Sequence, residues 1–153
     1  MLRISKLTDY GTVVMVCLAK RAPVLSSARD ISEATHLAMP TVSKLLKRLT
    51  AAGLLSSVRG AAGGYRLQGC AADITVAQII YALDDQRGLT ECSQNNDACV
   101  LHRVCAIQGN WRAISSAIES ALESVSLEAL AKPVLSAANL ERVKQLATGV
   151  RYG

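Results

Sequence analysis

Apolar residues recur at helical spacing at the start of the chain. Ser5 can begin a first helix, because its hydroxyl can accept hydrogen bonds from the free backbone N–H groups of the first turn. The helix is predicted to run to about Arg21. Its apolar stripe is formed by Tyr10, Val13, Val14, Cys17 and Leu18. Cys17 lies within this stripe, so it is interpreted as a small core residue rather than a metal ligand.

Two shorter helices are predicted next. Residues 27–30 have the form of a capping box, which opens a second helix through about Ala34. Pro40 suits the start of a third helix, which Gly53 ends. Its inward residues are Val42, Leu45, Leu46 and Leu49. Its outward residues are Thr41, Ser43, Lys44, Lys47 and Arg48. Two such helices, the second with a basic outer face, predict a helix-turn-helix.

A β-hairpin is predicted directly after the third helix. Residues 54–58 and 65–67 can pair as strands around the glycine-rich segment 59–64. A glycine-rich turn flanked by arginines is typical of a wing, and Arg59 is expected to approach DNA phosphates or the minor groove. A phosphate-cradling loop is a weaker interpretation, because the Lys-Ser/Thr pair and the helix that should follow are missing here.

The second half of the chain contains two more predicted helices. Thr75 to Gln78 forms another capping box, and the fourth helix ends near Asp84. Later residues recur at spacings of three and four, as in a short heptad seam. They are Trp111, Ile114, Ile118, Ala121 and Val125. The seam is interpreted as a homodimer interface, although packing on its own domain is the alternative.

These elements predict a mostly α fold with a small β-hairpin wing. A winged helix-turn-helix is followed by a cysteine loop and a long dimerisation helix. The expected divisions are a DNA-binding domain at 1–68, a connecting helix at 69–88, a cysteine-rich loop at 89–108, a dimerisation helix at 109–131 and a C-terminal tail at 132–153.

Charge and composition indicate what class of partner the protein binds. The chain has 153 residues and a net charge of +5, with no Phe and one Trp, so an aliphatic and helical core is expected. Residues 1–66 carry ten Lys or Arg against three acidic residues. This basic part should face a polyanion, which suits double-stranded DNA. Because no apolar run reaches membrane-spanning length, a cytoplasmic protein with no membrane partner is expected.

Three of the five cysteines lie between residues 92 and 105. Six residues separate Cys92 from Cys99, and five separate Cys99 from Cys105. Thiolates at this density suggest a soft metal centre, with zinc, copper(I) or an iron-sulfur cluster as candidates, or thiol redox chemistry. A surface loop with one disulfide and a thiol oxidoreductase using His102 as a base stay open. A cluster needs about four ligands, so one ligand has to come from elsewhere.

Four segments together resemble the Rrf-two family of bacterial regulators. They read LRISKLTDYGTVV at 2–14, PTVSKLLK at 40–47, RGAAGGY at 59–65 and LTECS at 89–93. Trp111, which opens the helix after the three cysteines, adds to the likeness. The resemblance covers about residues 1–130 and is strongest to the branch that regulates the Suf iron-sulfur assembly system. Other branches include the Isc regulators and a nitric-oxide-sensing repressor.

The resemblance implies that Cys92, Cys99 and Cys105 ligate an iron-sulfur cluster, with 2Fe-2S favoured over 4Fe-4S. It also offers candidates for the fourth ligand. Asp9 of the partner subunit occupies the position used in the nitric-oxide sensor and is preferred. His102 inside the loop is second. Gln108 is third, because it stands where the Isc regulator has a histidine.

The function expected from residues and resemblance is a homodimeric repressor of iron-sulfur assembly genes that binds palindromic operator DNA. Gain, loss or oxidation of the cluster would shift the dimer between two arrangements with different operator affinity. The rival functions are a nitric-oxide or thiol-redox sensor of the same fold, a zinc-stabilised DNA-binding module and a thiol oxidoreductase.

Overall fold

The structure, a computed structural model, describes residues 4–84, 90 and 105–132. Six helices and one hairpin are assigned in these residues. In chain order they are α1 (Lys6–Arg21), α2 (Ala28–Thr35), α3 (Met39–Ala51), β1 (Leu55–Val58), β2 (Gly64–Leu67), α4 (Val76–Leu83), α5 (Gln108–Glu123) and α6 (Leu127–Leu130). The prediction of a mostly α fold with a small hairpin is confirmed.

Helix α1 has the predicted bounds but a different buried face. The Thr8 N–H donates to Ser5 Oγ at 3.2 Å, which makes Ser5 the N-cap. The predicted apolar stripe is wrong at Val13, which is 41% exposed, and Cys17 is only half-buried in an open groove between α1 and α2. Gly11 explains the difference. Because it has no side chain, α4 approaches α1 there, and the buried face follows Gly11 rather than Val13.

Helices α2 and α3 form the predicted helix-turn-helix. The capping box is present, because Ser27 Oγ accepts from the Asp30 N–H and Asp30 accepts from the Ser27 N–H. His36 ends α2 in the left-handed region at φ 57°, and Ser32 Oγ donates to the Leu37 carbonyl across the turn at 2.6 Å. The inward stripe predicted for α3 is confirmed, since Val42, Leu45, Leu46 and Leu49 are fully buried.

The hairpin packs on the helices through one buried pair of side chains. β1 and β2 are antiparallel, with Leu55 opposite Leu67, and both leucines are buried. Ser26, just before α2, pairs with Tyr65 through two backbone hydrogen bonds of 2.8 and 3.0 Å. The hairpin is therefore joined by backbone pairing to the residue that precedes the helix-turn-helix, which fixes the wing beside α3.

The C-terminal part departs from the predicted single helix at 109–131. α5 ends at Glu123, and the short helix α6 follows after a turn. Residues 125–128 pair with residues 71–76: the Leu127 N–H donates to the Ile74 carbonyl at 2.7 Å, and the Glu128 N–H donates to the Ala71 carbonyl at 3.0 Å. These bonds and the burial of Leu127 hold α6 against α1, which prevents α5 from continuing.

One hydrophobic core joins these elements. It draws on α1, Ile31 of α2, α3, the hairpin, α4 and Leu127 of α6, and its side chains are aliphatic or Met, as the composition predicts. α5 contacts α4 and contributes no member to this core. Within the described ranges, no helix has the length and apolar character needed to cross a bilayer.

Candidate nucleic-acid interface

The outer face of α3 carries the exposed polar groups expected of a DNA-reading helix. Ser43, Lys44 and Lys47 are exposed, and Thr41 is half-buried. The opposite face of α3 is fully buried, so the helix cannot rotate without exposing its leucines. The polar face is therefore held in one orientation, with two ammonium groups one turn apart.

Arg48 does not belong to this outward face. Its side chain is half-buried, and Nη1 donates to the carbonyl oxygen of Leu83 at 3.0 Å. The sequence-based expectation that Arg48 points outward with Lys44 and Lys47 is thus wrong. The cause is the end of α4, where a helix C-terminus presents carbonyl groups without partners in the helix. The sequence pattern of α3 alone gives no sign of that acceptor.

The wing places Arg59 at the end of β1, and its side chain is exposed. Gly60 follows with φ 118°, a conformation that residues with a Cβ atom rarely adopt. The Gly63 N–H donates to the Gly60 carbonyl at 3.0 Å, and a Cβ at Gly63 would collide with the Val58 carbonyl. Two glycines of the turn are therefore required by its geometry, and the turn carries Arg59 at its base.

Arg66 is a further exposed cation of the hairpin and is not among the predicted site residues. It is exposed on β2 opposite Ser56, and its Nε donates to Ser56 Oγ at 3.4 Å. Period-two alternation in the hairpin places Arg66 on the face opposite Leu67. That alternation is the signal that could have identified it from sequence.

Residues 92–105, which carry the three clustered cysteines, are called the thiol segment. The structure describes only its last residue, Cys105. Cys105 is a half-buried free thiol, and its carbonyl accepts from the Gln108 N–H at 3.4 Å where α5 begins. Cys92, Cys99 and His102 lie outside the described residues. Among the residues that are described, no group of three or more His, Cys, Asp and Glu side chains is arranged to hold a metal ion.

The candidate fourth ligands that are described lie on two different helices. Asp9 is exposed in the first turn of α1. Gln108 is half-buried at the start of α5, three residues after Cys105. An exposed carboxylate is accessible to a second subunit, whereas Gln108 is close in sequence to a thiol of its own chain.

Four of the five residues predicted for the dimer seam lie on α5. Trp111, Ile114, Ile118 and Ala121 are half-buried on α5, where Ser115 is the one buried residue. Val125 lies beyond the end of α5 and is 9% exposed, and its carbonyl accepts from the Val76 N–H at 2.9 Å. Its assignment to the seam is wrong, because Val125 packs inside its own chain.

Comparisons with known proteins give the same result for sequence and fold. The family model of Rrf2, an iron-dependent transcriptional regulator, matches residues 4–133. The transcriptional regulator IscR of Photorhabdus laumondii is 35% identical over 132 residues, which cover 84% of this chain and 79% of that protein. Protein rrf2 of Nitratidesulfovibrio vulgaris is 30% identical over 129 residues, covering 82% of this chain and 85% of that protein.

Solved structures with the same fold include a CymR and an IscR. CymR, the global cysteine regulator of B. subtilis, superposes with a TM-score of 0.67 at 32% identity, covering 86% of this chain and 97% of CymR. IscR of T. potens superposes with a TM-score of 0.61 at 29% identity, covering 99% of this chain and 94% of that chain.

Proposed function

Since the chain belongs to the Rrf2 family and is a DNA-binding transcriptional regulator rather than an enzyme, we propose that it is a homodimer that senses iron-sulfur cluster status. In this proposal it represses iron-sulfur assembly genes, those of the Suf system in the first place, by binding palindromic operators in the cytoplasm. The observation that carries the DNA-binding part is the fixed orientation of the exposed α3 face next to the wing.

The operator contact is assigned to α3 and the hairpin. Ser43, Lys44 and Lys47 are exposed and face away from the core, which suits hydrogen bonds to base edges and charge contacts to phosphates in the major groove. Thr41 is near the N-terminus of α3, where recognition helices usually approach bases. Arg59 supplies a second phosphate or minor-groove contact from the wing. Arg48 is left out, because its side chain is turned toward α4.

A symmetric dimer would use α5. Four apolar or aromatic side chains repeat along α5 at spacings of three and four, yet they are only half-buried in a single chain. Packing the same helix of a second copy against them would bury that surface, as in other two-fold interfaces. The dimer then presents two α3 helices to two half-sites, which is the reason to expect a palindromic operator.

Cluster binding is assigned to Cys92, Cys99 and Cys105, with Asp9 of the partner subunit as the fourth ligand and His102 or Gln108 as alternatives. A thiolate and carboxylate set suits an iron-sulfur cluster, which accepts one ligand other than Cys. The half-burial of Cys105 and the exposure of Asp9 support this arrangement. The 2Fe-2S form is favoured. Such a cluster would supply a group that is lost or oxidised when cellular iron or redox state changes.

A thiol-redox regulator is the second candidate. It is favoured by the likeness to CymR of Staphylococcus aureus, a structure described as an oxidized form, at 30% identity and a TM-score of 0.65. In this alternative the same thiols form a reversible disulfide or sulfenic acid without any metal. The two candidates share the DNA-binding surface and differ in whether iron is required.

Operator binding by protein with and without iron distinguishes the candidates. The probe is a duplex that the protein itself selects from a random-sequence library. Cluster-loaded and apo protein should differ in affinity for it by about tenfold or more, equivalent to about 1.4 kcal/mol of coupling. Equal affinities of both forms, together with loss of binding after mild thiol oxidation, would favour the thiol-redox candidate instead.

A further inference from the structure

Arg48 acts on α4 in the manner of a helix cap supplied from another helix. It lies in the last turn of α3, and its Nη1 donates to the carbonyl of Leu83, the last residue of α4, at 3.0 Å. The last carbonyls of an α-helix have no partner within the helix and carry the negative end of its dipole. A guanidinium there satisfies an acceptor and complements the dipole. The end of α4 is thus tied to α3 by a charged hydrogen bond.

The Leu83 side chain is held between two helices of the DNA-binding domain. It is 2% exposed. A Cβ at Gly11 of α1 would overlap Leu83 Cδ1 and would lie 3.3 Å from Leu45 Cδ2 of α3. Side chain and carbonyl together therefore fix Leu83 against α1 and α3. A movement of Leu83 has to displace one of these contacts, because such interiors are close-packed.

Leu83 also lies close in sequence to the three clustered cysteines. It is the last residue of α4, and Cys92 follows nine residues later. On the other side of the contact, Arg48 follows Lys47, whose side chain is exposed on the DNA-reading face. Gly11, which receives the Leu83 side chain, is two residues after Asp9. Leu83 therefore precedes the thiol segment in sequence and contacts both α1 and α3, the two helices that carry Asp9 and Lys47.

From this geometry we propose that Arg48 is a positioning residue that transmits the state of the thiol segment to α3 through the Leu83 carbonyl. The inference rests on the proposed function and deepens it. A change at the thiols displaces the end of α4, the Arg48 hydrogen bond is strained or released, and the exposed face of α3 moves relative to the wing. Arg48 itself makes no contact with DNA in this role.

The test compares three variants of the full-length protein on the selected duplex. R48M removes the donor, R48K retains a charged donor, and K47Q removes a neighbouring charge from the DNA-reading face. R48M should reduce the affinity ratio of cluster-loaded to apo protein from about tenfold toward unity, and R48K should restore part of it. K47Q should weaken both forms alike and leave the ratio unchanged. If R48M does not fold, R48L, which also lacks a donor, replaces it with the same expectation.

A second readout uses apo protein and needs no cluster. The Asp84 N–H donates to the Ile80 carbonyl at 2.8 Å, so its hydrogen exchange reports on the end of α4. Binding of the duplex should slow this exchange in the unchanged protein and in R48K, but not in R48M. If Arg48 had only a structural role, R48M would change the Asp84 exchange rate in DNA-free protein, and DNA binding would still slow that exchange.

Two results would overturn the assignment. In the first, R48M keeps both the affinity ratio and the DNA-induced protection of Asp84. In the second, R48M lowers the salt dependence of binding as K47Q does, which would make Arg48 a phosphate contact. If the unchanged protein binds equally well with and without cluster, the proposed cluster function fails. The exchange measurement on apo protein then still decides whether Arg48 links α4 to α3.

Discussion

The backbone N–H of Val76 donates to the carbonyl of Val125 at 2.9 Å, which joins the first residue of α4 to the turn after α5. This bond and the neighbouring pairing of Thr75 with Ser126 attach residues 125 and 126 to the start of α4. The C-terminal part of the described chain therefore has two roles. α6 completes the core, whereas α5 leaves a half-buried apolar surface.

Leu127 should be essential for stability. It is fully buried in the core, so L127A removes a packed side chain and should lower the free energy of unfolding by about 2–5 kcal/mol. E128A, at the exposed neighbouring position, should change it by no more than about 0.5 kcal/mol. Urea unfolding at one fixed protein concentration gives both values. Equal, small losses would show that α6 is not part of the cooperative core.

Ile118 should affect association more than folding. The variant I118D introduces a charge on the proposed α5 interface, where burial of an unpaired carboxylate is unfavourable. The dimer should therefore dissociate at concentrations where the unchanged protein is dimeric. S116D adds the same charge at an exposed position of α5 and should remain a dimer. Sedimentation velocity measures both. An unchanged dimer in I118D would remove this face from the interface.

Lys47 should contribute to DNA binding through its positive charge. Replacing it with Ala should weaken binding to a mixed-sequence duplex and reduce the slope of log K against log salt by about 0.9, because one fewer counterion is released. K132A removes another exposed charge, far from α3 in the sequence, and serves as the control. Fluorescence anisotropy over a range of salt concentrations gives the slopes. An unchanged slope in the Lys47 variant would exclude Lys47 from the phosphate contacts.

Asp30 should make stability depend on acid pH. The Ser27 hydroxyl donates to its carboxylate at 2.7 Å and the Ser27 N–H at 2.9 Å, and with help from Arg21 and Arg29 these bonds hold the Asp30 pKa below its ordinary value of 3.8. Because the folded-state pKa is the lower one, the stabilisation is present above pH 3.8 and is lost as pH falls through the folded-state pKa.

The variant D30N removes this titration. Its unfolding free energy should decrease less steeply than that of the unchanged protein as the solution is acidified below pH 3.8. Chemical denaturation at a series of acid pH values gives the two curves. Parallel curves would mean that the Asp30 carboxylate contributes no pH-dependent stability.

Local sequence signals predicted the helix starts well. Both capping boxes, at Ser27 and at Thr75, are present as expected, because a cap depends on residues three positions apart. The buried stripe of α3 was also predicted, since one face of that helix meets all its neighbours. Period-two alternation and the glycines gave the hairpin in the same way.

Predictions that depended on distant partners were the ones that failed. Val13 was assigned to the core, but Gly11 lets Leu83 approach from α4, 72 positions away in sequence, and so sets the buried face of α1. The α3 pattern predicts that Arg48 faces outward with Lys44 and Lys47, but its Nη1 donates to the carbonyl of Leu83, 35 residues away. Val125 continued a heptad pattern, yet its backbone pairs with Val76. None of these partners has a signature in the local pattern.

The proposed sensor function requires that the thiol segment holds an iron-sulfur cluster. The most direct measurement is the visible absorption spectrum, with iron and acid-labile sulfide counts, of protein purified without oxygen, beside C92A prepared identically. We expect charge-transfer bands with iron and sulfide in the unchanged protein and their loss in C92A. A colourless, iron-free protein that cannot be reconstituted with iron and sulfide would rule out the cluster and leave a thiol switch or a zinc site on the same DNA-binding fold.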